Sequence, residues 1–295
     1  MSDIADTLAT LPRPLAFVLS GGAGLGALQV GQLRALAELG LVPDFIVGTS
    51  VGAINGFFVA KGFTVARVAE LEAIWRGLRT SDVFANAGLM GLLRLVRGGG
   101  ALASSAGVSA LIARHLPRRY ADLVHPAHAV ATDNLTGRDV LLSEGDLRCN
   151  VLASTAIPSI FPPVEVAGRQ LVDGAISANV PIGQAARLGA RGMIVLDAGF
   201  PCALAAAPRG GIRGMVHTIA LALRNQTTGA LSALSVGHTI IYLPVPCPLN
   251  SAPYDFSNAA ALIPPSYSVA RDFLQQLAFD GPGVYGRPHL HEVSA

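Results

Sequence analysis

Residues 44–61 read DFIVGTSVGAINGFFVAK, a short apolar run, a turn of small residues and a second apolar run. The run DFIVG predicts a buried strand, and residues 50–61 predict a helix. The pattern G-x-S-x-G at 48–52 lies between them, and it is typical of a serine held on a sharp strand-to-helix turn. The helix N-terminus behind Ser50 supplies free amides and a positive dipole end. Ser50 is therefore a candidate nucleophile.

A similar unit precedes this one. Residues 15–20 (LAFVLS) predict a buried strand, a glycine-rich turn follows at 20–26, and residues 24–40 predict a helix that ends at Gly40. Two such units joined by short links predict a parallel sheet with right-handed crossovers. Further strands are predicted at 127–132, 138–142, 170–172, 193–197 and 239–243, and further helices at 64–78, 146–156, 181–189, 214–235 and 266–279.

These elements predict an α/β fold with three layers, α/β/α, around a mostly parallel central sheet. We expect a single domain over residues 1–295, with a core at about 15–197 and a C-terminal extension of helices and strands at 198–295.

The glycine-rich turn SGGAGLG (20–26) suits an oxyanion or a phosphate equally well, because backbone amides are exposed at such a turn. Gly22, Gly24 and Ala27 also satisfy the dinucleotide fingerprint G-x-G-x-x-A. That reading needs an acidic residue at the end of the second strand, where this chain has the G-x-S-x-G turn instead. A phosphate-binding loop would need G-K-[ST], which is absent from the turn.

A third motif, Asp173-Gly174-Ala175, follows the apolar run QLV. Asp-Gly after a strand is often only a turn. A serine nucleophile, however, needs a base, and an aspartate with an ordinary pKa of about 3.9 can serve only if a water-poor site holds it within hydrogen-bond reach of the hydroxyl. Gly174 would let the two backbones approach that closely.

The three motifs in this order resemble the patatin-like phospholipase family. The likeness extends to LSGGAGLGALQVGQLRAL, ATDNLTGR and ASTAIPSIFPPVEVAGRQLVDGAISANVP, and it runs from about Leu15 to Asp197. The resemblance implies a Ser–Asp catalytic dyad without histidine, in which Ser50 is the nucleophile and Asp173 the base. It also implies three supporting sites. The oxyanion hole is made by Gly21, Gly22, Ala23 and Gly24. The nucleophile elbow is made by Gly48, Thr49, Val51 and Gly52, and the base loop by Gly174 and Ala175.

Two positions depart from the family pattern. The family usually has three consecutive glycines, a variable residue and then Arg or Lys, whereas this chain has Ala23 in place of the third glycine and Leu25 in place of the basic residue. Alanine still donates an amide, provided that the backbone does not need a positive φ there. Loss of the cation shifts the expected substrate slightly from phospholipids towards neutral esters.

A histidine base remains open as an alternative at this stage. His217, His238, His289 and His291 follow Asp173, as the histidine of a Ser-Asp-His triad in the α/β-hydrolase order would. His125 and His128 lie three apart without a nearby cysteine or carboxylate pair, so no metal site is expected. The predicted serine hydrolase chemistry needs no cofactor.

Residues 76–120 hold seven arginines against one acid, Asp82, and include GLMGLLRLVRGGGAL. One interpretation is a surface helix pair with solvated arginines. The other is a mobile cap, hinged at the three glycines, that also touches an anionic membrane surface.

The bulk composition agrees with a globular chain. Hydrophobic residues make up 51%, charged residues 14%, and the net charge is only +2, so a nucleic-acid partner is not expected. Three cysteines argue against a complete disulfide framework. The first residues, MSDIADTLATLPRP, do not predict a secretory signal. We expect a cytoplasmic protein, with peripheral membrane contact left open and the oligomeric state unknown.

The predicted reaction is hydrolysis of a carboxylic ester of a phospholipid or neutral lipid through an acyl-enzyme, which makes the chain a serine esterase of lipid degradation. Two alternatives remain. An acyltransferase or thioesterase would use the same acyl-enzyme chemistry, and a lipid-binding or regulatory protein would keep the fold without turnover.

Overall fold

A computed structural model describes residues 2–84, 101–199, 211–249 and 251–288. Its centre is one nine-stranded sheet. The strands are β1 Leu15–Leu19, β2 Phe45–Thr49, β3 Ala127–Asp133, β4 Asp139–Leu142, β5 Val164–Val166, β6 Arg169–Asp173, β7 Gly192–Leu196, β8 Thr239–Tyr242 and β9 Gly283–Tyr285.

The sheet order is β5-β6-β3-β2-β1-β7-β8-β9, with β4 also paired to β3. The six strands from β3 to β9 in this order run parallel, whereas β4 and β6 pair with β3 in the antiparallel sense, and β5 pairs antiparallel with β6. The prediction of a mostly parallel sheet is confirmed.

Helices cover both faces of this sheet. The side chains of β1 show the alternation: Leu15, Phe17 and Leu19 point into one apolar cluster, and Ala16 and Val18 into another. All five are buried, as expected for a parallel strand covered on both sides. The helices are α1 Ser2–Ala9, α2 Ala27–Glu38, α3 Val51–Val59, α4 Val65–Gly77, α5 Thr80–Val83, α6 Ala106–His115, α7 Leu147–Ser154, α8 Ala175–Ala178, α9 Ile182–Arg187, α10 Gly211–Leu234 and α11 Ala259–Gln275.

The first cluster includes residues of α2, α3, α4, α6, α7 and α11, and the second includes residues of α8, α9 and α10. The structure is therefore the predicted three-layer α/β/α arrangement. The C-terminal region adds β8 and β9 to the same sheet, and α11 packs closely against α2, where Ser266 Oγ donates to Leu28 O at 2.7 Å.

The predicted start of one helix needs correction, and helix α1 and two strands are among the elements that were not predicted. Helix α11 begins at Ala259, seven residues before the predicted start at 266, because Pro264 and Pro265 lie inside the helix and not at its boundary. Strands β5 and β9 were not predicted. Each has only three residues, which is too short for an alternating pattern to stand out.

The segment 76–120 is described only at its ends. Arg76, Arg118 and Arg119 form ion pairs with Glu72, Asp146 and Asp122, which fits the interpretation of solvated surface arginines. The glycines 98–100 and most of GLMGLLRLVRGGGAL lie outside the described residues, and so does the predicted hinge. Within the described ranges, none of the helices has both the length and the apolar character needed to cross a bilayer.

The contact between α2 and α11 depends on Gly31. A Cβ at this position would lie 2.5 Å from Ile263 O and 2.6 Å from Tyr267 N, both backbone atoms of α11. We expect Gly31→Ala to lower the free energy of unfolding by about 1–3 kcal/mol, because the helices must move apart. Gly183→Ala on α9 is the matched control, since its Cβ would meet nothing within 4 Å. Denaturant unfolding of both variants tests this, and equal effects would contradict the packing argument.

Candidate active site

Ser50 lies on the turn between β2 and α3 in a strained conformation. Its backbone has φ 54° and ψ −125°, outside the main regions allowed to L-residues. Such a conformation costs on the order of 1–3 kcal/mol and persists only where the surroundings enforce it. The neighbouring Gly52 shows the enforcement, because a Cβ there would lie 2.4 Å from Leu19 O. The turn can therefore hold only a small residue at 52, as the sequence pattern predicted.

The hydroxyl of Ser50 donates a hydrogen bond to Asp173 across β3. The distance from Ser50 Oγ to Asp173 Oδ2 is 2.6 Å, and both side chains are buried. The register of the strands explains this contact. Thr49 of β2 is opposite Val130 of β3, and Asp173 of β6 is opposite the next residue, Ala131. Strands β2 and β6 therefore end at nearly the same level on the two sides of β3.

The turn after Asp173 fits closely against β3. A Cβ on Gly174 would lie 2.1 Å from Val130 O, so a side chain there would push the base loop away from the sheet. The amide of Ala175 donates to Asp173 Oδ1 at 2.8 Å. One carboxylate oxygen is therefore fixed by the backbone, and the other faces Ser50.

Burial raises the pKa of Asp173 to about 6, although hydrogen bonds from Ser50 and from the Ala175 amide oppose the rise. A carboxylate with this pKa is still ionised at pH 7 to 8. It is also a stronger base than an exposed aspartate, whose pKa is near 3.9. The structure thus supplies the water-poor environment that an aspartate base needs.

Ser154, at the end of α7, contacts both halves of this pair. Its Oγ accepts from Ser50 N–H at 2.9 Å and donates to Val130 O at 2.6 Å, and its carbonyl oxygen accepts from Gly174 N–H at 3.4 Å. The sequence analysis missed this residue. Ser154 belongs to the segment ASTAIPSIF, which was noted for its resemblance to the family. The sequence around a serine at the end of a helix does not show which distant backbone groups its side chain will bind.

The glycine-rich turn packs against Ser50, since a Cβ on Gly21 would lie 3.4 Å from Ser50 Cβ. Two of the four predicted oxyanion-hole amides are already used. Gly21 N–H donates to Asn179 O at 3.0 Å, and Gly24 N–H donates to Pro253 O at 2.7 Å. The amides of Gly22 and Ala23 bond to no other described residue, and the oxyanion hole itself stays a prediction.

A buried polar network lies under this turn. Gln29 Nε2 donates to Ser20 O at 2.8 Å, Asn55 Nδ2 donates to Gln29 Oε1 at 2.9 Å and to Gly26 O at 3.0 Å, and Trp75 Nε1 donates to Asn55 Oδ1 at 2.9 Å. The network joins the two ends of the glycine-rich turn to α3 and α4. These hydrogen bonds use the carbonyl groups of the turn, at Ser20 and Gly26, and do not occupy its backbone amides.

Ser50 and Ala23 are among the residues that line an apolar pocket. It follows one face of α3, where Val51, Ile54 and Phe58 recur at helical spacing, for roughly 12 Å from Ser50. The described part of the segment 76–120 also lines the pocket. The residues that it and the neighbouring elements contribute include Leu78, Val83, Phe84, Val108, Leu111, Ile157, Phe161 and Phe256. A hydrocarbon chain fits this chemistry.

The model of the patatin-like phospholipases matches residues 17–186, more than half of the chain. The chain belongs to this family.

Individual relatives agree with that assignment. The chain is 32% identical over 188 residues to patatin-like phospholipase domain-containing protein 7 of Rattus norvegicus, which covers 63% of this chain and 14% of that protein. It is 33% identical over 183 residues to an uncharacterized NTE family protein of Mycobacterium bovis, covering 61% of this chain and 47% of the relative. The chain thus spans less than half the length of these curated relatives.

Among solved structures, VipD from Legionella pneumophila matches with a TM-score of 0.46 at 15% identity, over 90% of this chain and 67% of that one.

The structure shows the surroundings of the two residues that depart from the patatin-like pattern, Ala23 and Leu25. Ala23 adopts φ 49°, so the positive φ that alanine disfavours is present, at a cost of about 1–2 kcal/mol. Leu25 is buried in the larger apolar cluster, where an arginine or lysine would be poorly accommodated.

No histidine among the described residues hydrogen-bonds to Ser50. His217 lies on α10, and His238 precedes β8 at the opposite edge of the sheet and contacts Leu234 O. His289 and His291 lie outside the described residues. His128 contacts Ser143 Oγ, and no cluster of three potential metal ligands occurs in the part of the chain that the structure describes.

The raised pKa of Asp173 predicts a stability effect. Folded Asp173 keeps its proton at pH values where the unfolded chain has lost it, so the free energy of unfolding falls as pH rises from about 4 to about 6, by about 3 kcal/mol. Asp173→Asn removes the ionisation. We expect the variant to melt at a higher temperature than wild type at pH 8, and this advantage to shrink below pH 5.

Asp133→Asn is the control. Backbone hydrogen bonds from Thr136 and Leu135 lower the pKa of Asp133, so this variant should gain nothing at pH 8. Melting curves of the three proteins at pH 4.5 and pH 8 suffice. An Asp173→Asn advantage that is absent at pH 8, or unchanged at pH 4.5, would show that the carboxyl is not destabilised by burial.

Proposed function

We propose that this chain is a lipid acyl hydrolase that cleaves carboxylic esters of phospholipids or neutral lipids through an acyl-enzyme on Ser50. The observation that carries the proposal is the 2.6 Å hydrogen bond to Asp173 from Ser50, which lines the apolar pocket. Membership of the patatin-like phospholipase family supports lipid hydrolysis independently.

In the proposed mechanism, Ser50 Oγ attacks the ester carbonyl carbon while its proton passes to Asp173 Oδ2. The amides of Gly22 and Ala23 stabilise the negative oxygen of the tetrahedral intermediate. Removing one such donor from a serine hydrolase typically costs about 2.7–4 kcal/mol in the barrier. The alcohol then leaves with the proton from Asp173, and an acyl-enzyme remains.

Hydrolysis repeats these steps with water. Asp173 takes a proton from water, the resulting hydroxide attacks the acyl carbon, and the collapse of the second tetrahedral intermediate returns the proton to Ser50 and releases the acid. No redox step or cofactor enters this sequence. The raised pKa of Asp173, about 6, suits a group that must accept and return a proton near neutral pH.

The pocket supports an acyl chain as the group that Ser50 retains. Of the residues that line it, only Ser50, Asn55, His115 and Thr155 are polar. Leu25, in place of a cation beside the glycine-rich turn, removes a contact for a phosphate and favours neutral esters slightly. A thioester substrate or an alcohol acceptor would use the same steps, so thioesterase and acyltransferase activities remain outcomes of the assay.

The first test is hydrolysis of chromogenic esters with acyl chains from short to long. We expect wild type to be active and to prefer chains longer than acetyl, and we expect Ser50→Ala and Asp173→Ala each to lose at least about a thousandfold in kcat. The controls His217→Ala, His238→Ala, His289→Ala and His291→Ala should retain activity.

Two results would overturn the proposal. If a histidine variant loses activity with Ser50→Ala while Asp173→Ala survives, the base is a histidine. If folded wild type cleaves no ester, thioester or vesicle phospholipid, the rival reading of a lipid-binding protein without turnover replaces this one.

Ser154→Ala tests the positioning of Ser50. The variant removes the acceptor of Ser50 N–H and the donor to Val130 O, so we expect kcat to fall about 10- to 100-fold with KM little changed. Ser177→Ala is the matched control, because Ser177 Oγ contacts Thr132 and Gly174 O near the base loop but not Ser50. Equal kcat values for the two variants would show that Ser154 has only a structural role.

A further inference from the structure

Phe58, on the last turn of α3, marks the end of the pocket that is farthest from Ser50 along this helix. Helix α3 begins directly after Ser50, and its residues Ile54 and Phe58 line the pocket one turn apart. Eight residues of helix advance about 12 Å along the axis. Helical side chains point back towards the N-terminus, so the ring of Phe58 lies closer to Ser50 than this distance. Along α3, the pocket is therefore at most about 12 Å deep.

Side chains from three parts of the chain pack around Phe58 at this end. The ring of His115, the last residue of α6, meets the Phe58 ring edge-on, with the centroids 6.4 Å apart. Lys61 Nζ lies 5.0 Å from the centre of the Phe58 ring and donates to His115 O at 3.2 Å. Arg67, on the first turn of α4, places its guanidinium carbon 5.7 Å from the same ring centre. Lys61 and Arg67 do not line the pocket, so the Phe58 ring separates it from both cations.

The two cations make this end unfavourable for a longer hydrocarbon chain. An ammonium or guanidinium group that contacts an apolar chain loses water, which is costly unless another polar group replaces the water. Lys61 and His115 are half-buried, whereas Phe58 is only 3% exposed. A chain that displaced the Phe58 ring would press against Lys61 and Arg67. We therefore expect a bound chain to stop at the ring.

The depth of the pocket converts to a number of carbon atoms. In the proposed function, the carbonyl carbon of the substrate is held at Ser50 Oγ. A fully extended chain of single bonds advances about 1.2 Å per bond, a third of the reach of an extended residue. About 12 Å of pocket then holds about ten carbons. The side walls between the two ends are apolar and include Leu71 and Ile74 of α4 and Val108 and Leu111 of α6.

We propose that Phe58 sets the length limit of the acyl group, so that the pocket takes medium-chain acyl groups of up to about ten carbons. The proposal rests on the proposed function for the position of the carbonyl group, and it narrows the substrates to esters of medium-chain acids. Carbons beyond the length limit stay in water or must displace the Phe58 ring, so they add no affinity.

The test is binding of saturated 1-alkanols, from butanol to tetradecanol, to the full chain carrying Ser50→Ala, in which no acyl-enzyme can form. Trp75 is the only tryptophan of the chain and lines the pocket, so its fluorescence reports occupancy. We expect the affinity to rise about fourfold for each added CH₂ group up to about ten carbons, and then to level off.

Two substitutions on the lining face of α3 should move the length limit in opposite directions. Phe58→Ala frees the space of the ring and should raise the limit by about three carbons. Ile54→Phe places a ring one turn, about 6 Å, closer to Ser50 and should lower the limit by about five carbons. Phe57→Ala is the matched control, because Phe57 is buried on the same turn, packs against Tyr120 with ring centroids 5.7 Å apart, and does not line the pocket. It should keep the limit of the parent.

The same substitutions in a chain with Ser50 intact should move the acyl length at which kcat/KM for chromogenic esters is highest. An affinity that keeps rising to tetradecanol in the parent overturns the length limit, and so does a limit that is equal in Ile54→Phe, Phe58→Ala and the control. If Phe58→Ala does not fold, the shift in Ile54→Phe decides the question. Binding is read without turnover, so a chain that shows the limit but cleaves no ester overturns only the proposed function. A chain that cleaves palmitoyl esters faster than octanoyl esters overturns only the length limit.

Discussion

The hydrogen bond between Ser50 and Asp173 is the constraint on which the rest of the structure depends. The two residues are 123 positions apart, and strand β3 lies between the strands that carry them. Their meeting requires β2 and β6 to end at the same level of β3 although they run in opposite directions. The contact of Gly174 with Val130 O brings the base loop down onto the sheet, and Ser154 binds backbone on both sides of the pair.

Several features of this site are unfavourable for stability and are held by their surroundings. Ser50 has a disfavoured backbone conformation, Ala23 has a positive φ, and Asp173 is a buried carboxyl with a raised pKa. Tightly packed neighbours prevent each of these residues from adopting a more favourable state. The buried side chains of Gln29, Asn55 and Trp75 hydrogen-bond to one another and to the glycine-rich turn, and so fix its position. Local strain with rigid support is the usual condition of a reactive centre.

Much of the fold could be predicted from the sequence because parallel strands are short apolar runs and the turns carry glycine patterns. Strands β1, β2 and β7 are examples, and the order of the motifs indicated the family. The antiparallel sense of β6 could not be predicted, since pairing direction is set by tertiary contacts and not by a strand of five residues. The hydrogen bonds that occupy the amides of Gly21 and Gly24 could not be predicted either, because their acceptors belong to Asn179 and Pro253, which are distant in sequence. The roles of Ser50 and Asp173 stay predictions.

The central claim is that Asp173 alone activates Ser50 in a site built for an acyl chain. The most direct measurement is the rate of covalent labelling by an alkyl fluorophosphonate as a function of pH, with the adduct located by mass spectrometry. Ser50 Oγ would attack phosphorus, fluoride would leave, and the proton would pass to Asp173. The account predicts one adduct per chain, on Ser50, at a rate that rises through an apparent pKa of about 6 and is lost in Asp173→Asn. An adduct on another residue, or a rate that survives in Asp173→Asn and falls in a histidine variant, would contradict it.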